Sequence, residues 1–151
     1  MTQFAVIQAS RHHCGQMARK LRREHEEGSR AIGLGTHEGI CVAFLMSSET
    51  RAWMIDGRLA AVGGLIDTFA SSTGVIWLAV AQSATRYPVA MFKTAREWLR
   101  IFGQNKRVLR ITVILADKPS IRFAESLGFY PSGEVTEDGA IGVMQKNCGG
   151  E

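Results

Sequence analysis

The spacing of apolar residues in the first third of the chain predicts one strand followed by two helices. The weak alternation of Phe4–Gln8 is typical of a short strand. Ser10 can cap the next helix, and Gly28 is placed to end it. One apolar stripe of that helix repeats at helical spacing, at Cys14, Met17, Ala18 and Leu21. Thr36 can cap a second, shorter helix through the apolar run 40–46, with residues 47–49 extending it, although periodicity alone also allows a strand.

The middle of the chain has the pattern of a hairpin followed by a buried strand. Asp56-Gly57 separates two strand-like runs, residues 51–55 and 58–66, which is a strong hairpin signal. Gly63-Gly64 in the second run predicts a bulge or a close backbone approach. Residues 75–80 are almost wholly apolar, so we expect a central strand that is buried on both faces.

The second half alternates helices and strands. Pro88 suits the first position of a helix that ends at Gly103, and its apolar face is expected at Val89, Phe92, Trp98, Leu99 and Phe102. A strand at residues 108–115 precedes a helix that starts at Pro119 and ends at Gly128. Short strands at 129–131 and 140–144 complete the order. This order predicts an α/β fold: a mixed central sheet of about seven strands with helices on both faces.

Composition agrees with an ordinary globular chain. The 151 residues are 46% hydrophobic and 21% charged, which predicts a single domain over residues 1–151. Three cysteines without a CxxC spacing indicate free thiols in a reducing compartment. The chain opens without the pattern of a signal peptide, and no apolar run approaches the roughly 20 residues of a membrane span. We therefore expect a protein that stays inside the cell.

Positive charge is concentrated in one part of the chain. Nine basic residues lie between Arg86 and Arg122, against only Glu97 and Asp117. Such a field suits an anionic ligand or partner, although a solvated helix surface gives the same pattern. Three of the basic residues share one face of the helix that begins at Pro88, namely Lys93, Arg96 and Arg100. That face is the predicted contact for DNA or for an acidic protein surface.

The order of elements resembles the GNAT acetyltransferase fold over essentially the whole chain. The most specific local match is residues 117–129, which are similar to the family's late strand-helix-strand segment. Residues 78–80 and the helix at Pro88 look like the acetyl-CoA strand and its helix. The resemblance implies acetyl-CoA as cofactor, with the pantetheine arm on that strand and the pyrophosphate on the helix amides. The cofactor-binding residues that it implies are Leu78, Val80, Arg86, Val89 and Ala90.

The sequence departs from this family at the positions that carry its chemistry. Pro88, which has no N–H, stands where the first glycine of the pyrophosphate loop belongs, and Ala124 aligns with the usual tyrosine acid. Residues 75–80 contain no carboxylate to serve as the base. The remaining candidates for catalysis are Tyr130, as a displaced acid, and Asp117, for which a helix cap is the alternative role. Acetyl-CoA binding is therefore expected to be weak or absent.

A narrower resemblance is to the small GNAT-like proteins of short-tailed phages, some of which are internal virion proteins. It rests on residues 120–123, residues 127–129, Asp138-Gly139, the glycine-bearing strand 60–64, and Tyr87-Pro88 before a helix with Phe92, Arg96 and Trp98. It implies the host-cell cytoplasm, packaging in the virion and other virion proteins as partners. Two hypotheses follow from the sequence: a phage-type protein with a degenerate acetyl-CoA site, and an active acetyl-CoA-dependent N-acetyltransferase that uses an unusual base.

Three further groups of residues have both a functional and a structural interpretation. The four histidines lack zinc-ligand spacing, so no metal site is expected at His12, His13, His25 or His37. The three tryptophans could stack nucleic-acid bases, but their apolar surroundings favour core packing of Trp53, Trp77 and Trp98. Cys14 and Cys41 fit apolar stripes and are expected in the core.

Overall fold

The computed structural model describes residues 1–19, 36–67 and 71–148. Its elements are β1 Phe4–Gln8, α1 Arg11–Ala18, α2 Thr36–Met46, β2 Ser47–Ile55, β3 Arg58–Asp67, β4 Thr73–Val80, a 3₁₀ turn Gln82–Arg86, α3 Pro88–Phe102, β5 Val108–Ile114, α4 Lys118–Ser126, β6 Tyr130–Val135 and β7 Ile141–Asn147. The strands form one mixed sheet of seven, in the order β1-β2-β3-β4-β5-β7-β6. The predicted order of strands and helices and the predicted α/β fold class are confirmed.

The single parallel pairing among the described strands lies at the centre of this sheet. β4 and β5 run parallel and pair over three positions, Thr73–Val75 with Val108–Arg110. Hydrogen bonds hold the strands together at this end, because the N–H groups of Arg107 and Val108 donate to the Ser72 carbonyl at 2.8 and 3.3 Å. Beyond Val75 the two strands part. A gap therefore opens in the middle of the sheet, toward the carboxyl ends of β4 and β5.

Each face of the sheet has its own hydrophobic core, and alternate strand residues serve the two cores. On β2, Trp53 packs in the core under α3 and α4, while Ala52 packs in the core under α1 and α2. Val80 and Ala79 divide in the same way on β4. The helices contribute Trp98, Phe102 and Ala124 to the first core and Cys14, Met17 and Ile40 to the second. Helices on both faces of the sheet are thus confirmed.

The glycine signals of the hairpin have clear structural reasons. Asp56 and Gly57 both have positive φ, 48° and 76°, which is the geometry of a tight two-residue hairpin. Gly63 is a close approach: a Cβ there would lie 2.9 Å from the Trp98 ring and 3.0 Å from the Trp77 carbonyl oxygen. A Cβ on Gly64 would lie 2.7 Å from the Trp77 indole nitrogen. The register shifts of β2 and β3 lie elsewhere, so close approach is the correct alternative.

Three expectations for individual segments were wrong. Residues 47–49 do not extend α2, because β2 begins directly at Ser47, whose hydroxyl donates to the Ala43 carbonyl at 2.7 Å and closes the helix. β4 is buried on both faces only at its carboxyl end, where Ala79 and Val80 lie in the two cores, whereas Val75 is 40% exposed. Val89 does not pack on the sheet and is 68% exposed.

Other expectations are confirmed or fall outside the described part of the chain. Cys14, Trp53 and Trp98 are buried, and Cys41 packs against the core under α1 and α2. Trp77 is half-buried, and its indole N–H donates to the Ser47 hydroxyl at 2.7 Å. The predicted stripe residue Leu21 and the predicted helix end at Gly28 lie outside the described residues. The single domain over residues 1–151 stays a prediction.

Candidate functional site

The gap between β4 and β5 forms a cleft of about 470 Å³, which α3 and α4 flank. Its walls are Ile76, Trp77, Leu78 and Val80 of β4, Thr85, Met91, Ala95, Trp98, Leu99 and Phe102 on the α3 side, Ile111, Thr112 and Val113 of β5, and Pro119, Ser120, Phe123, Ala124, Leu127 and Phe129 on the α4 side. The cleft exists because β4 and β5 share only their first three positions. We call this cavity the cleft.

The walls of the cleft are apolar and carry no ionisable side chain among the described residues. The polar side chains among the lining residues are those of Thr85, Thr112, Ser120 and Trp98, together with Trp77, whose indole N–H is already bonded to Ser47. Within the described part of the chain, the Trp98 indole nitrogen is buried without a hydrogen-bond partner. The cleft can therefore bind apolar groups, but its walls supply no acid or base.

One edge of β4 faces the cleft. Residues 76–80 pair with β3 on one side, whereas the pairing with β5 on the other side stops at Val75. A strand edge of this kind offers backbone donors and acceptors to an extended ligand. Leu78 and Val80, two of the predicted cofactor-binding residues, lie on this segment and line the cleft.

The first turn of α3 lies at the carboxyl end of β4. Pro88 is the first helical residue, and Met91 is the first to donate within the helix, to the Tyr87 carbonyl at 2.9 Å. The first turn therefore offers two amides, those of Val89 and Ala90, to a ligand. The side chains predicted here, Arg86, Val89 and Ala90, are not among the residues that line the cleft, and Arg86 is exposed.

Asp117 is the N-cap of α4. Its carboxylate accepts the Ser120 N–H at 3.4 Å and the Ser120 hydroxyl at 2.5 Å, and the residue is 7% exposed. Ser120 lines the cleft, while Asp117 does not. The structure thus places Asp117 in the capping role that the sequence analysis gave as the alternative to catalysis.

Tyr130 lies on the edge strand β6 and is not among the cleft-lining residues. Its hydroxyl accepts from the Gln145 side-chain amide at 3.1 Å and donates to the Asn147 side chain at 3.2 Å. The side chain is thus held across β6 and β7. Ala124, at the position where the family has its tyrosine, does line the cleft.

The histidines of α1 have local structural partners. His13 accepts the Ser10 N–H on Nδ1 at 2.9 Å, and burial lowers the pKa of His13, with the nearby His12 adding to the effect. The His12 ring lies 2.9 Å from the Gln16 side-chain amide. Within the described residues, no three His, Cys, Asp or Glu side chains come together as a metal site. His25 and the side chain of His37 lie outside the described residues.

A second cavity, of about 530 Å³, lies at the carboxyl ends of α3 and α4. Its walls are Phe92, Arg96, Glu97, Leu99, Arg100, Gly103 and Gln104 of the α3 region, Ser126 and Leu127 of the α4 region, and Lys146, Asn147 and Cys148 at the end of β7. Three cations and one carboxylate line it. We call this cavity the basic pocket.

The cations of the basic pocket differ in their partners. Arg100 donates two hydrogen bonds to the Glu97 carboxylate, at 3.0 and 2.6 Å, and these bonds lower the pKa of Glu97 and raise that of Arg100. Glu97, one of the two acidic residues in the basic part of the sequence, thus pairs one turn along the helix with Arg100. The Arg96 guanidinium lies 5.5 Å over the centre of the Phe92 ring.

Sequence reasoning found only part of this pocket. Helical spacing grouped Arg96 and Arg100 with Lys93, which is exposed but lines neither cavity. Lys146 was missed, because only the pairing of β7 with β5 brings it beside α3 and α4. Gly128 was the signal in the sequence that could have pointed to a side chain packed against this turn. A Cβ there would lie 2.6 Å from the Lys146 amine, so the bare backbone leaves room for that amine.

None of the helices in the described residues has the length and apolar character that a membrane crossing requires.

Comparison of the sequence with protein-family models gave no match, and comparison with curated proteins gave no significant similarity. The fold is similar to solved structures. A GNAT-family acetyltransferase from Streptococcus pneumoniae gives a TM-score of 0.66 at 16% identity, over 97% of this chain and 100% of that one. The ribosomal-protein-S18-alanine N-acetyltransferase from Escherichia coli gives a TM-score of 0.70 at 13% identity, over 99% of this chain and 96% of that one. YncA from Salmonella typhimurium, solved with its cofactor acetyl-CoA, gives a TM-score of 0.69 at 12% identity, over 98% of this chain and 95% of that one. The chain therefore has a GNAT-like fold, the fold of these acetyltransferases.

Proposed function

We propose that this chain is a phage-type GNAT-fold protein whose acetyl-CoA site is degenerate and does not catalyse acetyl transfer. The observation that carries the proposal is the absence of an ionisable side chain from the described walls of the cleft. Transfer of an acetyl group to an amine needs a base for the amine proton and a proton for the departing thiolate. Hydroxyl and indole groups at neutral pH are poor substitutes for both.

The start of α3 supports the same conclusion. A pyrophosphate on a helix N-terminus is held by the free amides of the first turn. Pro88 removes one of these amides, and the turn before it has no glycine to bring the backbone closer. A lost hydrogen bond to a charged group costs about 1.5–3 kcal/mol, which corresponds to roughly ten- to a hundred-fold in affinity. Acetyl-CoA is thus expected to bind weakly or not at all.

The virion part of the proposal rests on the sequence resemblance to small proteins of short-tailed phages. Residues 120–123 and 127–129, which carry that resemblance, form α4 and its glycine end beside the cleft. The proposal places the chain in the host-cell cytoplasm and then in the particle, with other virion proteins as partners. Mass spectrometry of purified particles tests it: the chain should remain at constant stoichiometry through successive gradients, and its loss on purification would overturn this part.

DNA contact through Lys93, Arg96 and Arg100 is also part of the proposal. All three side chains are exposed on α3, which supports a contact with an extended anionic surface. Glu97 neutralises part of the charge of Arg100. The face is therefore proposed as a weak, salt-sensitive contact.

A second candidate is an active acetyl-CoA-dependent N-acetyltransferase. The parting of β4 and β5 favours it, because the edge of residues 76–80 remains open to an extended cofactor arm. YncA, which has a similar fold, was solved with acetyl-CoA. In this case the base would have to come from a residue outside the described walls of the cleft.

An acetyl-transfer assay separates the two candidates. The full chain is incubated with acetyl-CoA and a panel of primary amines that includes peptide N-termini, polyamines and aminoglycosides, and free thiol is measured over time. The proposal expects thiol release at the rate of the protein-free control for every amine. Release that depends on both amine and protein, and that disappears in an Ala124→Trp variant with a filled cleft, would establish the second candidate.

A further inference from the structure

The cleft and the basic pocket adjoin along helix α3. The cleft uses one stripe of the helix, at Met91, Ala95, Trp98 and Leu99. The basic pocket uses the next stripe, at Phe92, Arg96, Leu99 and Arg100. Leu99 and Leu127 belong to the walls of both cavities. These two leucines therefore form a wall that the apolar cavity and the cationic cavity share.

The two cavities have complementary chemistry. The cleft offers mostly apolar walls to a hydrocarbon chain, and none of its described lining residues has a charge to pair with an ionised group. The basic pocket offers three cations, together with the polar side chains of Gln104, Ser126 and Asn147. Arginine is suited to phosphate, because its guanidinium can donate two parallel hydrogen bonds.

Two of the cations are placed to meet a ligand. Among the ion pairs between described residues, Glu97 is held by Arg100, and neither Arg96 nor Lys146 takes part in one. Arg96 is steadied by the Phe92 ring beneath it. The Lys146 amine occupies the space that Gly128 leaves at the end of α4.

We propose that the adjoining cavities bind a dissolved single-chain alkyl phosphate, with its chain in the cleft and its phosphate between Arg96 and Lys146. The chain passes between Leu99 and Leu127, which move apart by side-chain rotation. The inference rests on the proposed function, because it requires that acetyl-CoA does not compete for the cleft. It adds a ligand class whose charged group lies at the carboxyl end of α3, the end opposite to the helix amides.

Calorimetric titration of the full chain with decyl phosphate, below the concentration at which it forms micelles, tests this inference. Decanol and inorganic phosphate are the matched probes, since each has one half of the ligand. We expect decyl phosphate to bind at least about ten-fold more tightly than either probe, because charged hydrogen bonds add to burial of the chain. Equal affinity for decanol and decyl phosphate would overturn the placement of the phosphate.

Variants separate the two cavities. Arg96→Gln and Lys146→Gln should each lower the affinity for decyl phosphate by about ten-fold and leave the affinity for decanol unchanged. Lys93→Gln removes the same charge from the same helix outside both cavities, and it should change affinity by less than about two-fold. Ala95→Leu narrows the cleft. It should lower the affinity for decyl phosphate without changing the affinity for inorganic phosphate. Equal losses of affinity for decyl phosphate in Lys93→Gln and Arg96→Gln would show that general surface charge causes the effect, which would contradict the proposal.

The inference and the proposed function can fail separately. If decyl phosphate does not bind and acetyl-CoA does not bind either, the inference alone is wrong. If acetyl-CoA binds at micromolar concentration, the proposed degenerate site is wrong, whether or not decyl phosphate binds.

Discussion

The two ends of the groove between α3 and α4 differ in what they offer a ligand. At the amino end, α3 starts with a proline and has no side-chain cap, and the amides of Val89 and Ala90 are its remaining donors. At the carboxyl end, Arg96, Arg100 and Lys146 line the basic pocket together with the carboxylate of Glu97. The cleft lies between the two ends, and the basic pocket lies at the end opposite to the helix amides. A shared fold therefore does not by itself establish a shared chemistry.

The largest effect is expected from Gly128, on which the carboxyl end of this groove depends. Its φ is +98°, and the N–H groups of Gly128 and Phe129 donate to the Glu125 and Ala124 carbonyls at 3.0 and 3.1 Å, which ends α4. Gly128→Val should lower the free energy of unfolding by about 1–3 kcal/mol, because a β-branched residue is strained at this φ. Denaturant unfolding measures this loss.

A matched control separates backbone strain from contact at Gly128. Gly133 also has positive φ, +91°, but a Cβ there would have nothing within 4 Å, whereas a Cβ on Gly128 would meet the Lys146 amine. Gly128→Ala should therefore cost more stability than Gly133→Ala. Equal costs would show that the Lys146 amine moves aside freely.

Reversing the charge of the basic face should give the next largest effect. Lys93→Glu/Arg96→Glu/Arg100→Glu should abolish the proposed DNA binding at low salt, and binding by the unmodified chain should fall steeply between low and physiological salt. A fluorescence anisotropy titration with duplex DNA at both salt concentrations measures this. Equal binding by the unmodified chain and the triple variant, or no binding by either at low salt, would show that this face does not contact DNA.

The cap of α4 should give an effect of about 1 kcal/mol at the amino end of the groove. Asp117→Ala removes the acceptor of the Ser120 N–H and hydroxyl. Asp117→Asn keeps a capping oxygen and is the matched control, so it should retain most of the stability. Thermal unfolding of both variants tests this, and a large loss in Asp117→Asn alone would point to a role of the negative charge beyond capping.

The smallest effect is expected at Cys148, in the wall of the basic pocket. Burial raises the pKa of the Cys148 thiol, and the charge of Lys146 opposes this shift. Lys146→Gln should therefore raise the pKa further, so that alkylation of Cys148 requires higher pH than in the unmodified chain. Mass spectrometry of iodoacetamide-treated protein across pH measures the shift, with Lys118→Gln as the control. An unchanged pH profile would place the Lys146 amine away from the thiol.

The parts of the fold that the sequence predicts well are those that depend on local backbone geometry. Asp56-Gly57, Pro88 and Gly128 each need a particular backbone geometry, so their positions can be read without tertiary information. The parting of β4 and β5 after Val75 could not be read in this way, because it depends on the pairing of strands that are distant in the sequence. The same holds for the site: the loss at Pro88 is visible in the sequence, whereas Lys146 joins Arg96 only through strand pairing.

Calorimetric titration of the full chain with acetyl-CoA tests the central claim most directly. The account predicts no saturable binding at micromolar concentrations, because Pro88 removes an amide from the first turn of α3. Pro88→Gly restores that amide and should strengthen binding by about ten-fold, with Pro119→Gly, at the start of α4, as the control for proline removal. Micromolar binding of acetyl-CoA by the unmodified chain would contradict the account, and an unchanged affinity in Pro88→Gly would contradict the role given to Pro88.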